Sequence, residues 1–179
     1  MVSILLSRYQ PSPRARHYAG QVGGKSYVWG GYTQDFHHGG KDKLRSTLNV
    51  FDPYLETWQK KHTTGTPPCG LLNGAYTSHT NQVYSFAGHD GSDYMNSLHV
   101  LDTDKLVWEK HHPRIGPMPK SGCGMVFFGK QHLATIGGYG LPTQPVLPVR
   151  PELFIRDPEC RKGRGWTNEF HVFDVTEGK

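Results

Sequence analysis

Short segments in which apolar and polar residues alternate recur along the chain, and each is bounded by glycine or other turn-forming residues. Alternation with a period of two is typical of β-strands that bury one face. No long stretch shows helical periodicity. The pattern therefore predicts an all-β chain, with strands at His17–Val22, Ser26–Gly30, Thr47–Asp52, Thr57–His62, Gly74–Ser78, Val83–Ala87, Leu98–Asp102, Val107–His112, Cys123–Phe128, His132–Ile136 and Glu169–Asp174.

An internal repeat underlies this pattern. Each copy has one strand that ends at glycine and a later strand that ends at aspartate, and in the first two copies a tryptophan follows the aspartate six positions later. The glycines are Gly30, Gly31, Gly88, Gly137 and Gly138, the aspartates are Asp52, Asp102 and Asp174, and the tryptophans are Trp58 and Trp108. The aspartates are 50 and then 72 residues apart, and a third tryptophan would fall at position 180, just beyond Lys179.

A period near 50 residues with these features resembles the kelch repeat, in which each copy forms one four-stranded blade of a β-propeller. The resemblance implies a partial kelch-type β-propeller with about three four-stranded blades, the third without its outer strand. The predicted units are an N-terminal extension at 1–13 and blades at 14–63, 64–113 and 114–179. Propellers close with about 4 to 8 blades. The chain is therefore interpreted as the N-terminal half of a propeller, from a fragment or an isoform, with an exposed blade face that favours self-association.

The repeated residues have local physical roles. Glycine at the end of the second strand of each blade admits a positive φ and a close approach of the backbone. Trp58 and Trp108 are expected to pack between neighbouring blades rather than to bind a ligand. The aspartate that ends the third strand is expected to form a turn, with its carboxylate accepting backbone N–H groups two residues on.

The loops between the second and third strands of a blade, called B-to-C loops, are expected to emerge on one face of the propeller, and functional residues concentrate on such loops. They are predicted at Tyr32–Ser46, His89–Ser97 and Tyr139–Asn168. The third exceeds the usual loop length of about 12 to 15 residues. It contains Pro142, Pro145, Pro148, Pro151 and Pro158 together with Arg150, Arg156, Arg161, Lys162 and Arg164. Two interpretations stay open, a basic rim over a central pocket and a solvated insertion.

Composition narrows the cellular setting. The net charge of +5 permits an anionic partner, but the basic residues form no blocks, so neither a nucleic acid nor a membrane partner is predicted. Cys69, Cys123 and Cys160 are odd in number and widely spaced, which favours reduced thiols in an intracellular protein. The first residues resemble neither a signal peptide nor a membrane span. A cytoplasmic or nuclear location is therefore predicted.

Residue patterns of catalysis and metal binding do not occur in the sequence. The adjacent pairs His37/His38 and His111/His112 would point to opposite faces of a strand, so neither offers two ligands on one side. The segment Gly137–Gly140 lacks the spacing of a dinucleotide-binding fingerprint. No metal, cofactor or enzymatic activity is predicted.

Four motifs go beyond the general repeat: Val28-Trp29-Gly30-Gly31-Tyr32, Gly65-Thr66-Pro67-Pro68, Gly137-Gly138-Tyr139-Gly140 and Gly163-Arg164-Gly165-Trp166-Thr167-Asn168. Together these motifs resemble a narrower family, that of kelch domain-containing protein 2. The last two are specific because they bracket the long third B-to-C loop. The resemblance implies a substrate receptor of cullin-RING ubiquitin ligases, recruited through elongin, whose propeller pocket captures protein C-termini that end in glycine. The alternatives are a general kelch interaction scaffold and, more distantly, a galactose-oxidase-like enzyme.

By this resemblance, Tyr139 and Trp166 line the peptide pocket, with the phenol and the indole N–H as hydrogen-bonding groups. Tyr32 and His89, which follow the strand-end glycines of the first two blades, and Arg164 of the basic third loop are expected at the rim of the pocket. The chain departs from the family at Ser121-Gly122-Cys123-Gly124, where the family has a pocket lysine, and only Lys120 is nearby. The family's carboxylate-anchoring arginines belong to later blades, and its elongin-binding segment follows the propeller. Both are outside this sequence.

Overall fold

The computed structural model describes residues 9–33, 47–69, 72–111, 116–142 and 151–176, and every structural statement refers to these residues. The strands of the first two repeats are β1 (Tyr18–Val22), β2 (Lys25–Trp29), β3 (Thr47–Asp52), β4 (Thr57–His62), β5 (Thr64–Gly65), β6 (Ala75–His79), β7 (Gln82–His89), β8 (Tyr94–Asp102) and β9 (Val107–His111). The strands that follow are β10 (Lys120–Ser121), β11 (Gly124–Phe128), β12 (His132–Ile136), β13 (Tyr139–Gly140), β14 (Phe154–Arg156), β15 (Gly165–Thr167) and β16 (Phe170–Asp174). A short 3-10 helix covers Pro151–Leu153, and the described part of the chain has no α-helix.

Three sheets correspond to the three predicted blades. The first blade has the order β1-β2-β3-β4, the second contains β6-β7-β8-β9 with β5 parallel to β9, and the third has the order β11-β12-β16. The observed strands match the predicted ones within one or two residues, except that β8 begins at Tyr94 rather than Leu98. Within the described residues the third blade has three strands, as the sequence pattern predicts. Residues 34–46 of the first B-to-C loop, with His37 and His38, lie outside the described residues, as do His112 and residues 143–150 of the third loop.

The third B-to-C loop is not a simple loop, which corrects the sequence interpretation. Its ends form β13, β14 and β15, and together with β10 these strands extend the second blade in the order β14-β15-β13-β10-β8. Glycine allows this pairing: a Cβ on Gly140 would lie 2.0 Å from the carbonyl oxygen of Pro119, and one on Gly165 would lie 2.2 Å from that of Ile155. Real side chains cannot approach backbone so closely. The described parts of the insertion therefore form a platform attached to the second blade.

The three blades share one backbone geometry where the second strand ends. The pairs Gly30/Gly31, Ala87/Gly88 and Gly137/Gly138 all have positive φ angles, between 62° and 116°. The residue that follows each pair forms a bridge with the segment that precedes its blade, in the pairs Ala15/Tyr32, Leu72/His89 and Ser121/Tyr139. Tyr32, His89 and Tyr139 thus hold equivalent backbone positions in the three blades.

The hydrophobic cores lie between neighbouring blades. In the first, Trp108 of β9 is buried against Trp29 of β2, with ring centres 5.4 Å apart. In the second, Phe86 of β7 contacts Phe173 of β16, with ring centres 5.7 Å apart. Burial of each such side chain contributes about 1.5 to 3 kcal/mol. The blade faces are therefore held together by apolar contact, whereas each sheet is held by its own hydrogen bonds.

The aspartates that end the third strand of each blade form turns. Oδ1 of Asp52 accepts the N–H groups of Tyr54 and Leu55, and Oδ1 of Asp102 accepts those of Asp104 and Lys105, at 2.9 to 3.2 Å. Oδ1 of Asp174 accepts the N–H of Thr176 at 2.9 Å. The predicted turn role of these aspartates is confirmed, and the repeat keeps this residue because a carboxylate satisfies backbone donors that the turn leaves unpaired.

Candidate functional site

An aromatic cluster lies where the insertion joins the second blade. It consists of His89 at the end of β7, Tyr94 at the start of β8, Tyr139 on β13 and Trp166 on β15, with Arg164 beside it. The sheet order β15-β13-β10-β8-β7 brings these side chains together from segments far apart in sequence. The insertion is therefore what builds the cluster.

The rings form a continuous row. Ring centres are 4.8 Å apart for His89 and Tyr94, 6.0 Å for Tyr94 and Tyr139, and 5.3 Å for Tyr139 and Trp166. Tyr139 and Trp166 are directly opposite each other across the β13–β15 pair, and all three contacts have edge-to-face geometry, which aromatic pairs prefer. Trp166 is half exposed. The row thus presents a rigid aromatic surface that a ligand can reach.

A cation lies against this surface. The guanidinium carbon of Arg164 is 4.8 Å from the ring centre of Tyr94, which is cation–π geometry. The Nε of Arg164 is buried, and no acceptor for it occurs in the described parts of the chain. Stacking on Tyr94 holds the guanidinium in place without using its N–H groups, which are the kind of donor that an anion requires.

The hydroxyl of Tyr139 donates a hydrogen bond to Oδ2 of Asp157 at 2.7 Å. This bond to the carboxylate, aided by burial, raises the pKa of Tyr139. The sequence analysis treats the phenol as a hydrogen-bonding group for the ligand. In the structure its proton is already held by Asp157, so the phenol oxygen is left as an acceptor and the ring as a packing surface.

A tight turn between β14 and β15 positions Asp157 and Arg164. The N–H of Asp157 donates to the carbonyl of Arg164 at 2.8 Å, and the N–H of Cys160 donates to the carbonyl of Asp157 at 3.2 Å. Hydrogen bonds from the N–H groups of Arg164 and Lys162, together with Tyr139 and the charge of Arg164, lower the pKa of the Cys160 thiol, although desolvation opposes them. The turn therefore sets both the anchor of Tyr139 and the base of the Arg164 side chain.

His89 is a neutral donor in this geometry. Its Nδ1 accepts the N–H of Gly91 at 3.0 Å, so its Nε2 carries the hydrogen. Burial lowers the pKa of His89; the charges of Asp90 and Asp93 oppose this, whereas those of Arg164 and Arg16 add to it. Positive charge near His89 is thus supplied by two arginines.

The structure brings four of the five predicted pocket residues together: His89, Arg164, Tyr139 and Trp166. Tyr32 takes the equivalent backbone position in the first blade and is partly exposed. Sequence reasoning missed Tyr94, because the predicted start of β8 at Leu98 left Tyr94 in a loop. It also missed Asp157, which no sequence pattern indicates.

Lys120 does not replace the absent family lysine at the surface. It is fully buried, and the described residues offer no acceptor for its Nζ. Burial lowers the pKa of Lys120, while Cys123 and Glu169 oppose that shift. Its backbone pairs with Gly140 of β13, so Lys120 lies beneath the insertion rather than beside the exposed rings.

Neither a metal-binding cluster nor a membrane-spanning helix occurs among the described residues. No group of three or more His, Cys, Asp or Glu side chains is arranged to hold a metal ion among them. Nor does that part of the chain contain a helix long and apolar enough to cross a membrane.

Comparison with known proteins gives a consistent match. The model of the KLHDC2/KLHL20/DRC7 Kelch-repeats domain matches residues 3–179. Kelch domain-containing protein 2 of Homo sapiens is 29% identical in an alignment of 173 positions, which covers 92% of this chain and 42% of the relative. Acyl-CoA-binding domain-containing protein 4 of Arabidopsis thaliana is 29% identical in an alignment of 111 positions, which covers 61% of this chain and 16% of that protein.

The solved structure of YjhT aligns with a TM-score of 0.65 at 20% identity, covering 94% of this chain and 55% of that one, and supports the fold alone. These matches and the sheet topology confirm the predicted all-β, partial kelch-type β-propeller. The chain spans less than half the length of the Kelch domain-containing protein 2 relatives that it matches.

Proposed function

Because the chain belongs to the KLHDC2/KLHL20/DRC7 kelch-repeat family and forms a protein-interaction module, we propose that its aromatic cluster binds the C-terminal peptide of a partner protein that ends in glycine. The observation that carries the proposal is the contact of Tyr139 with Trp166 beside the stacked guanidinium of Arg164. Joined to the family's later blades and elongin-binding segment, the module would act as a substrate receptor of a cullin-RING ubiquitin ligase, in the cytoplasm or nucleus. These assignments follow from the family resemblance.

A glycine tail suits an aromatic surface of this kind. Glycine has no side chain, so its backbone can lie flat against the indole of Trp166 and the ring of Tyr139, where a larger residue would collide. The indole N–H and the phenol oxygen can bond to the peptide backbone. The rings therefore select for the shape of the tail.

A terminal carboxylate requires charge-assisted donors. The guanidinium of Arg164 and the ring of His89 both lie next to Tyr94. Hydrogen bonds from these donors to a charged group would contribute about 1.5 to 3 kcal/mol each. Asp157 carries a negative charge nearby, but its Oδ2 is occupied by Tyr139. In the family the main anchoring arginines come from later blades. We therefore expect this chain alone to bind weakly and a version completed with the later blades to bind at least about 100-fold more tightly, because two further charged bonds contribute more than 2.8 kcal/mol.

The decisive experiment compares a Gly-ending peptide as the free acid with the same peptide amidated at its C-terminus. Titration of both against the completed version should show tight binding of the free acid and nearly none of the amide. Equal affinity for the two would exclude recognition of the C-terminus and would favour the general kelch scaffold. Co-purification of elongin with the completed version, and its loss when the segment after the propeller is removed, tests the ligase role separately.

A further inference from the structure

One face of the third blade is apolar and open. Its residues Val126, Phe128, Ile136, Phe170 and Val172 are between 45% and 59% exposed. The strand register places them on one side of the sheet, because Val126 and Val172 both pair with Ala134, and Phe170 pairs with Ile136. A contiguous apolar patch of this kind indicates an interaction surface.

The equivalent faces of the other blades are buried. Ile136 precedes the pair of positive-φ residues, as Trp29 and Phe86 do in the first and second blades. Trp29 is buried by the second blade and Phe86 by the third. The open face therefore has the geometry of a blade-to-blade interface and fits another kelch blade.

The first blade carries the complementary face. Trp58 packs on Phe51 with ring centres 5.1 Å apart. Trp58 follows Asp52 by six residues, as Trp108 follows Asp102, and Trp108 is the residue that packs on Trp29 of the preceding blade. By this equivalence, Trp58 would pack on the Ile136 side chain of a third blade that belongs to another copy of the chain.

A backbone series runs through the blades in the same direction. The N–H of Asn73 donates to the carbonyl of Arg16 at 3.3 Å, and the N–H of Gly122 donates to the carbonyl of Asn73 at 2.7 Å. All three residues have positive φ angles, between 56° and 66°. If the series continued into another copy of the chain, the N–H of its Arg16 would donate to the carbonyl of Gly122.

We propose that two copies of this chain close into one six-bladed ring, with the third blade of each copy packed on the first blade of the other. Three blades cannot close a propeller, but six lie within the range of about 4 to 8 that do. Three blades of a six-bladed ring turn through about 180°, so two copies related by a two-fold axis satisfy both interfaces at once. This inference concerns the 179-residue chain by itself. In a protein with later blades, the fourth blade would occupy the same face. The inference does not depend on the proposed peptide binding.

The segment before the first blade is compatible with closure. The hydroxyl of Tyr9 is hydrogen-bonded to Asn49 on β3. At the equivalent position of β8, His99 is bonded to the carbonyl of Thr66, which lies in the segment before β6. Cys69 of that same segment packs against the core between the first two blades. Residues around Tyr9 can therefore occupy a blade interface as residues around Thr66 do.

The first test is the mass of the 179-residue chain in solution. Sedimentation equilibrium over a range of concentrations should give twice the chain mass of 20.1 kDa. Phe170→Glu and Val172→Lys should each reduce it to the single-chain mass while preserving the β-sheet circular dichroism spectrum, because both side chains are exposed. Ile155→Glu, at an exposed apolar residue on β14, should leave the dimer intact. A folded monomer at all concentrations overturns the proposal, as does an open-ended series of larger species.

The second test locates the interface. A Cβ built on Gly20 would lie 3.9 Å from Cβ of Val83, across the interface of the first two blades. Val126 and Ser26 are the equivalents of Gly20 and Val83, and disulfides need Cβ atoms about 3.5 to 4.5 Å apart. The double variant Ser26→Cys/Val126→Cys should form a covalent dimer on mild oxidation, whereas either single variant should remain mostly monomeric on a non-reducing gel. Equal cross-linking by a single variant contradicts the head-to-tail arrangement.

Discussion

The hydroxyl of Tyr139 is held by the carboxylate of Asp157 at 2.7 Å, so the ring that faces Trp166 cannot rotate without breaking this bond. Asp157 is itself fixed by the turn that carries Arg164. The aromatic wall and the cation beside it are therefore positioned by one small unit of the insertion. Such preorganisation lowers the entropic cost of binding.

Replacing Trp166 by alanine should weaken peptide binding without unfolding the protein. The indole is half exposed, so its removal costs little core burial, but the peptide loses a wall of the pocket. We expect at least a tenfold loss of affinity, about 1.4 kcal/mol, measured by titration of the completed version with the free-acid peptide. Tyr54→Ala, at an aromatic residue exposed in the β3–β4 turn, is the control and should bind normally. Unchanged affinity of Trp166→Ala would remove the aromatic cluster from the proposed site.

Peptide affinity should rise as the pH falls through the pKa of His89. That pKa is below its ordinary value of 6.5, mainly because of burial, so His89 is neutral at pH 7. A bound carboxylate favours the charged imidazole, and linkage then requires that protonation strengthen binding below pH 6.5. The same burial makes the folded state lose stability over this range, because the unfolded chain binds the proton more readily. Affinities of wild type and His89→Gln should be measured from pH 7.5 to pH 5.5. A rise of equal size in both would assign the titration to another group.

The repeat could be predicted from the sequence because each of its features depends on residues that are close together in the chain. The alternation of apolar and polar residues predicts the strands, and glycine marks the positive φ angles at Gly31 and Gly138. The turns at the aspartates need only a carboxylate two residues before a backbone N–H that lacks another acceptor. The strand pairing between the two ends of the insertion could not be predicted from the sequence. These strands are two or three residues long, too short to show a period, and the pairing of Tyr139 with Trp166 joins residues separated by a segment that carries no pattern. Ala87 also departs from the local rule, since it has a φ of 62° without being glycine.

Trp108 should be among the most important residues for stability. It is 2% exposed and packs on Trp29 between the first two blades. Truncation of a buried tryptophan to alanine costs about 3 to 5 kcal/mol, a large part of the roughly 5 to 15 kcal/mol that stabilises a domain. Urea unfolding of Trp108→Ala should show a much lower midpoint, whereas Tyr54→Ala should match the wild type. A loss below about 1 kcal/mol would mean that the first two blades are not held together by this contact.

Two glycines with similar backbone angles should respond differently to alanine. Gly31 and Gly23 both have positive φ angles, 85° and 56°, so a β-carbon costs about 1 to 2 kcal/mol of backbone strain at either position. At Gly31 the new Cβ would also lie 2.7 Å from Cβ of His17 and 2.8 Å from the carbonyl oxygen of Ala15, whereas at Gly23 nothing lies within 4 Å. The backbone pair between Ala15 and Tyr32 would have to open, with the loss of two hydrogen bonds worth about 1 kcal/mol each. Urea unfolding should therefore show Gly31→Ala to be about 2 kcal/mol less stable than Gly23→Ala. Equal losses for the two variants would show that the contact between the preceding segment and the end of the second strand adds nothing to the stability of the blade.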